Sequence, residues 1–157
     1  MKDVKRQINT NLDALMPVIC EGLAAGKSIR FSPQGTSMLP MIRQNIDSVE
    51  ISSVPEKLKK YDLPLYQRDN GQYTLHRIVG VGETYTCLGD NQFVKEYGVR
   101  RDQMIAVVTV FYRGERKYTT NNLGYQIYCR LWYHSRHIRH FWRRGCGWLR
   151  RHLWRQK

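Results

Sequence analysis

Apolar residues near the start of the chain recur at steps of three and four positions, the spacing that places side chains on one face of an α-helix. The series is Val4, Ile8, Leu12, Leu15, Ile19 and Leu23. It predicts an amphipathic helix from about Asp3 to Ala25, and Gly26 follows as a residue type that commonly ends helices. We expect this helix to pack on the body of the protein or on a partner.

Beyond Gly26 the pattern changes to short runs rich in β-branched and aromatic residues, with turn residues between them. The runs are Ser28 to Ser32, Ser48 to Ser52, Leu63 to Arg68, Tyr73 to Val81, Tyr85 to Leu88 and Met104 to Tyr112. Asp69-Asn70-Gly71 predicts a hairpin turn. The sequence therefore predicts a mainly β protein, with an N-terminal helix in residues 1–26, a compact antiparallel core in residues 27–117 and a tail in residues 118–157.

The tail returns to a helical pattern and is strongly basic. The formal net charge of the chain is +13, and Tyr118 to Lys157 contains nine Lys or Arg, no Asp or Glu, and all four tryptophans. Gly145 and Gly147 are expected to divide the tail into two helical pieces. The apolar residues expected near one face are Tyr125, Tyr128, Leu131, Trp132, Ile138, Phe141, Trp142, Trp148, Leu149 and Leu153.

This composition suits three kinds of partner for the tail. Aromatic residues with arginines on the other faces match the headgroup region of an anionic membrane surface, and the same aromatics match a cover over the β core or a dimer interface equally well. Nucleic acid is a less favoured partner, because the charge lies in a tail and not on the body. His134, His137 and His140 are expected to be solvated, since only Cys129 is close enough in sequence to complete a metal site.

The cysteines and the N-terminal residues indicate an intracellular protein. No C-x-x-C pair occurs among Cys20, Cys87, Cys129 and Cys146, so neither a zinc site nor a disulfide framework is indicated. No apolar run has the length of a signal peptide or of a membrane span. We therefore expect reduced thiols, no metal or cofactor, and a cytoplasmic location with peripheral attachment to the inner membrane face through the tail.

One serine, one histidine and one aspartate of the predicted core suggest nucleophilic catalysis. A serine hydroxyl is a weak nucleophile near neutral pH unless a base lies within hydrogen-bond reach and a third group orients that base. Ser37 lies in the stretch "QGTSMLPMI", His76 is the single histidine of the core, and Asp90 follows a predicted strand. Each residue alone also has a structural explanation, as a turn residue or a hydrogen-bonded strand residue. Arg77 can lie at a sheet edge or extend its charged end to solvent.

The contexts of these three residues resemble the sequence boxes of one superfamily. "GTSMLPMI" resembles the Ser-Met-x-Pro box of type I signal peptidases and their relatives, and "LHRIVGV" and "CLGDNQ" resemble the second and third boxes. The match covers roughly Ser28 to Arg116, including "QMIAVVTVFYRG", which resembles the last barrel strand of the catalytic core. The resemblance implies a mostly β, barrel-like core.

The resemblance also implies catalytic roles. Ser37 would be the nucleophile and His76 the base, as in the histidine subgroup of the superfamily, where bacterial signal peptidases and repressor-type proteases have a lysine. Arg77, the neighbour of His76, cannot serve as the base at ordinary pH. Asp90 would be the acid that orients His76.

The same resemblance implies how the substrate is held. The backbone N–H of Ser37 would contribute to the oxyanion hole, together with Thr36 or another backbone amide, because Gly35 stands where relatives often have a hydroxyl residue. Met38 would form part of an apolar wall beside the substrate, and Pro40 would fix the chain after the nucleophile.

We therefore expect a serine endopeptidase that cuts a leader or signal-like peptide, with a peptide as its substrate partner. Self-cleavage at Ala25-Gly26, the kind of bond that repressor-type proteases cut, is disfavoured because this bond precedes Ser37 by only eleven residues. The alternative is a non-catalytic module that binds peptides or membranes on the same scaffold.

Overall fold

The N-terminal helix, α1, spans Leu12–Ala24 in the computed structural model, which describes residues 12–141 of the chain. Met16, Ile19 and Leu23 form its buried face. Gly26 ends it with a φ of 70°, and the N–H of the next residue donates to the carbonyl of Gly22 over 2.9 Å, which satisfies the last turn. The predicted helix and its stop are thus confirmed, except that positions 3–11 lie outside the described residues.

Antiparallel strands in two open sheets form the middle of the chain. The strands are β1 (Ile29–Phe31), β2 (Asp47–Ser52), β3 (Pro64–Gln67), β4 (Tyr73–Leu75), β5 (Arg77–Val81), β6 (Tyr85–Leu88), β7 (Glu96–Val99), β8 (Met104–Arg113) and β9 (Arg116–Thr119). The large sheet has the order β1-β2-β8-β3-β4, with β9 also paired to β8, and the small sheet has the order β5-β6-β7. The expected barrel is not closed in the described part of the chain, because β1 and β4 form the two ends of the large sheet.

The predicted strand from Tyr73 to Val81 is two strands in two different sheets. β4 ends at Leu75 in the large sheet, β5 begins at Arg77 in the small sheet, and His76 lies between them. The sequence pattern also missed β7 and β9. Gly98, with a φ of 74°, weakens the β signal of the first, and charged residues occupy half of the second.

The predicted hairpin at residues 69–71 is confirmed. It joins β3 to β4, where Gln67 pairs with Tyr73. The N–H of Arg68 donates to the carbonyl of Gln72 over 2.9 Å, and Gly71 has a φ of 84° that favours glycine. Turn chemistry local to the sequence therefore determines this connection.

Two clusters of buried apolar side chains hold the elements together. The larger one joins α1, the large sheet and a C-terminal helix, α2, which spans Leu123–His134. The smaller one includes Tyr66 of the large sheet and Ile78 and Cys87 of the small sheet. The first part of the basic tail is thus packed into the same core as α1.

The apolar residues of the C-terminal helical region occupy two faces, not the single face expected from the sequence. Tyr125 and Cys129 are buried against the core, whereas Leu131, Ile138 and Phe141 are exposed. The large sheet takes up only one side of the helix. The expected positions from Trp142 onward lie outside the described residues. Within residues 12–141, no helix has the length and apolar character needed to cross a bilayer.

Candidate active site

Ser37 lies in a tight turn between β1 and β2 and is half-buried. Two backbone hydrogen bonds shape this turn, from Leu39 N–H to the Thr36 carbonyl over 3.2 Å and from Ile42 N–H to the Met38 carbonyl over 3.0 Å. The peptide bond between Leu39 and Pro40 is cis. The serine is therefore presented by a loop whose backbone is hydrogen bonded on both sides of it.

Ser37 and His76 line the same cavity, which has a volume of about 350 Å³. The cavity is bounded on one side by the loop that carries Ser37 and on another by β4. Apolar side chains from α1, β1, the serine loop and β4 contribute to its wall, namely Leu12, Leu15, Phe31, Met38 and Leu75. The structure thus places Ser37 and His76, which the sequence suggested as nucleophile and base, at one cavity.

Gly89 lies between the serine loop and the histidine. A Cβ atom placed on Gly89 would be 2.8 Å from the Ser37 carbonyl oxygen and 3.0 Å from His76 Nε2. The N–H of Asn91 donates to the same Ser37 carbonyl over 2.8 Å, and its side-chain amide donates to the Thr36 carbonyl over 3.1 Å. The Gly-Asp-Asn turn therefore holds the serine loop close to the imidazole, and only glycine leaves room at its first position.

The imidazole of His76 is buried at the crossing between the two sheets, with 2% of its surface exposed. Its Nδ1 lies 2.8 Å from Glu96 Oε1 and 3.5 Å from the Tyr66 hydroxyl. Because a carboxylate accepts hydrogen bonds, Nδ1 carries the proton and Nε2 keeps its lone pair. Burial lowers the pKa of His76 below its usual 6.5, although Glu96 acts in the opposite direction. The ring is therefore neutral near pH 7, and its basic nitrogen lies next to Gly89.

Glu96, at the start of β7, contacts His76 and is a candidate site residue that the sequence pattern did not indicate. Arg68 donates to it from two nitrogens, and the Tyr66 hydroxyl donates to Oε2 over 2.9 Å. Burial acts against its charge, but these hydrogen bonds and the positive charge of Arg68 lower the pKa of Glu96. In the sequence, Glu96 is a carboxylate that follows the Gly-Asp-Asn turn. It was missed because β7, the strand that carries it, was not predicted.

Asp90 does not contact His76 in the way that the sequence suggested. It accepts from Arg77 through both oxygens, Nε to Oδ1 over 2.8 Å and Nη2 to Oδ2 over 2.7 Å, and both side chains are buried. Arg77 also donates to the Tyr125 hydroxyl over 2.7 Å. Arg77 thus lies on β5, an edge strand of the small sheet, but it does not extend to solvent, and a buried guanidinium requires a counter-charge. The orienting contact expected of Asp90 is made by Glu96.

The other residues assigned to substrate binding lie in different places. Met38 is buried and lines the cavity with Ser37, whereas Pro40 lines a second cavity of about 600 Å³ together with Trp132. Thr36 is exposed, and its carbonyl accepts from Asn91. Within residues 12–141, neither the N–H nor the hydroxyl of Ser37 makes a protein hydrogen bond. Such contacts are often long in a free enzyme and shorten when substrate binds.

No group of three or more His, Cys, Asp or Glu side chains between residues 12 and 141 is arranged to hold a metal ion. The ring of His140 instead packs on Phe93, with 4.6 Å between the ring centroids.

Comparisons with protein-family models, with curated proteins and with solved structures find no significant match to this chain. Its function is therefore inferred from the residues of the site and their geometry.

Proposed function

We propose that this protein is a serine endopeptidase of the signal-peptidase kind, which hydrolyses a peptide bond in a leader or signal-like peptide. Ser37 is the nucleophile, His76 the general base and Glu96 the acid that orients the imidazole. The observation that carries the proposal is the arrangement of His76, whose Nδ1 lies 2.8 Å from Glu96 while its ring lines the same cavity as Ser37. A carboxylate, an imidazole and a hydroxyl in this order are the parts that nucleophilic catalysis needs.

The proposed reaction has two halves. Nε2 of His76 takes the hydroxyl proton of Ser37 as Oγ attacks the scissile carbonyl, and Glu96 stabilises the imidazolium that forms. The Ser37 N–H is available to the oxyanion, and the imidazolium then protonates the leaving amine as the carbon–nitrogen bond breaks. In the second half, His76 takes a proton from water, and the resulting attack on the acyl ester releases the acid and regenerates Ser37.

The substrate in this proposal is an extended peptide with a small or medium apolar side chain. Leu15, Phe31 and Met38 give the cavity an apolar wall, and a volume of about 350 Å³ suits one such side chain with its backbone. We place this activity in the cytoplasm, at the inner membrane face, on the strength of the basic and aromatic tail.

Labelling with a fluorophosphonate probe and cleavage of leader peptides test the proposal. The wild-type chain should be labelled and should cleave, while Ser37→Ala should lose both activities and His76→Ala should lose them nearly completely. Ser32→Ala is a matched control, because Ser32 supplies another hydroxyl to the same cavity and should keep full activity. Labelling or cleavage unchanged in Ser37→Ala would end the proposal.

A non-catalytic peptide-binding module is the second candidate. The observation that favours it is that, within residues 12–141, the Ser37 hydroxyl makes no hydrogen bond, including none to His76. Such a module would bind leader peptides in the cavity without cutting them. Peptide binding that persists in Ser37→Ala, with no turnover by the wild type, would favour the module over the enzyme.

A further inference from the structure

The outward side of the C-terminal helical region carries a line of exposed apolar side chains. Its members are between 48% and 79% exposed, and their spacing places them on one helical face. The hydrogen bonds from Ser135 N–H to the Leu131 carbonyl over 2.9 Å, and from Arg139 N–H to the Ser135 carbonyl over 3.1 Å, continue the helical pattern past the end of α2. We name this line the outer stripe, and it consists of Leu123, Ile127, Leu131, Ile138 and Phe141.

The opposite side of the same helix is already buried. Tyr125 and Cys129 belong to the larger core cluster, so packing on the protein's own core does not account for the outer stripe. A helix that packs by one face normally presents polar residues on the other, and one that is apolar on both sides needs a second cover. The outer stripe is therefore an apolar surface that the described part of the chain leaves exposed.

The charge around the outer stripe selects the chemistry of a partner. Arg130 is exposed next to Leu131, and residues 118–157 contain nine Lys or Arg and no acidic residue. A second copy would bring these like charges together, which opposes association. A nucleic acid would meet the charges but would leave leucine and isoleucine side chains without a favourable environment, since it is bound through phosphates and base stacking. An anionic bilayer accommodates both, with apolar side chains among the acyl chains and arginines at the headgroups.

We propose that the outer stripe docks on an anionic lipid bilayer and holds the serine cavity at the membrane surface. Two contacts attach the helix to the site. Trp132 Nε1 donates to the backbone carbonyl of Asp90 over 2.8 Å, and Tyr125 accepts from Arg77 over 2.7 Å. Both lead to the Gly-Asp-Asn turn that contacts the Ser37 loop. The consequence is a preference for membrane-bound peptides, and this consequence alone rests on the proposed function.

Vesicle co-sedimentation of the full chain tests the docking. The chain should bind vesicles made of an equal mixture of phosphatidylglycerol and phosphatidylcholine. It should bind vesicles of pure phosphatidylcholine only weakly. The double variant Ile127→Glu/Leu131→Glu should reduce binding to the anionic vesicles by about tenfold or more, because it removes two apolar side chains and adds two repelled charges. Arg130→Gln should reduce binding by a smaller factor, about fivefold.

A matched control replaces exposed apolar residues elsewhere. Val18 and Ile46 are 61% and 56% exposed, and Val18→Glu/Ile46→Glu adds the same charge without touching the outer stripe. It should bind the anionic vesicles much better than the stripe variant does. The proposal would be overturned if both double variants lost vesicle binding equally, or if the stripe variant bound vesicles as well as the wild type does. It would also be overturned if the chain bound an RNA oligonucleotide more tightly than the vesicles, or if it self-associated and Ile127→Glu abolished that association.

Failure of the docking and failure of the enzyme proposal are separable. Ser37→Ala should bind vesicles as the wild type does, so vesicle binding does not depend on catalysis. The stripe variant should still cleave a short soluble leader peptide at the wild-type rate, and should lose only the advantage that the wild type gains on a vesicle-bound peptide. A stripe variant that loses soluble cleavage while circular dichroism shows it folded would contradict a purely docking role.

Discussion

At His76, burial and a neighbouring carboxylate act on the imidazole in opposite directions. Burial lowers its pKa and Glu96 raises it, with burial the larger influence. In the proposed mechanism, the neutral form is the one that accepts a proton from Ser37. The acid limb of kcat/KM should therefore lie below pH 6.5, the usual pKa of histidine.

Glu96→Gln should lower kcat/KM by about 10²- to 10⁴-fold, because the imidazolium loses its counter-charge and the ring its orientation. It also removes an influence that raises the pKa of His76 and leaves the opposing charge of Arg68 in place. The acid limb should thus move to lower pH while the plateau falls. A pH profile of leader-peptide cleavage checks both effects.

Glu83→Gln serves as the control for this prediction, since Glu83 is exposed on the turn between β5 and β6. It should leave the profile unchanged. A Glu96→Gln profile that keeps its plateau, or whose acid limb moves to higher pH, would show that Glu96 does not orient the base.

Gly89→Ala should abolish cleavage, and its effect on the stability of the fold should be smaller. Its Cβ would lie 2.8 Å from the Ser37 carbonyl and 3.0 Å from His76 Nε2, so the serine loop and the imidazole must move apart. Gly82→Ala is the matched control, because its Cβ would meet only the Thr84 carbonyl at 3.8 Å. Fluorophosphonate labelling together with urea unfolding separates the two effects. Full labelling of Gly89→Ala would contradict this geometry.

On the scale of elements, the buried pair of Arg77 and Asp90 joins three parts of the fold. Arg77 opens β5, Asp90 follows β6, and Arg77 also donates to Tyr125 of α2. Burial opposes the charge on Arg77, but Asp90 more than compensates and raises the pKa of Arg77. Arg77 therefore keeps its charge, and its hydrogen bonds to Asp90 and Tyr125 anchor α2 beside the Ser37 loop.

Breaking this pair from one side should be costly. Asp90→Asn and Arg77→Met should each reduce the free energy of unfolding by about 3–5 kcal/mol, because each leaves a buried polar group or charge without its partner. The double variant Arg77→Met/Asp90→Leu should recover much of that loss. Urea unfolding followed by tryptophan fluorescence provides the measurement.

Arg100→Gln is the comparison, since Arg100 pairs with Asp69 and Asp102 at the exposed surface, and it should change stability little. If Asp90→Asn were as stable as the wild type but inactive, Asp90 would have the catalytic role first expected of it.

On the scale of the whole molecule, the site lies where the chain crosses from one sheet to the other. His76 occupies the crossing itself, and its neutral ring makes folding sensitive to acid. Because its folded pKa is lowered, its contribution to stability is fully present above the unfolded pKa and is lost as pH falls through the folded pKa. Asp47 also contributes stability that is lost as the pH falls, but at lower pH. Burial raises its pKa, but hydrogen bonds from Arg43 outweigh burial and lower the pKa overall.

The urea concentration at the unfolding midpoint of the wild type should therefore decrease as the pH is lowered from 7 to about 5. His76→Gln carries no titrating group at the crossing, and its midpoint should fall less over the same interval. Parallel pH profiles for the two proteins would mean that His76 binds protons equally well in the folded and unfolded states, contrary to its burial.

Much of the local structure follows from the sequence alone. The three- and four-residue spacing from Leu12 to Leu23 predicts α1, and the hairpin at residues 69–71 and most strands follow from turn chemistry and β-branched runs. The sequence motifs around Ser37 and His76 also indicate these two residues as a candidate site, and both line one cavity. All of these signals depend on residues that are neighbours in the chain.

Tertiary structure alone decided which carboxylate meets the imidazole. Asp90 is bound by Arg77 and Glu96 by His76, because pairing of β5, β6 and β7 sets distances that sequence spacing does not contain. It also decided that the strands form two open sheets, and that the core takes only one face of α2. The physical reason is the same in each case: periodicity and turn propensity act within a few residues, whereas charge pairing and burial depend on which distant segments pack together.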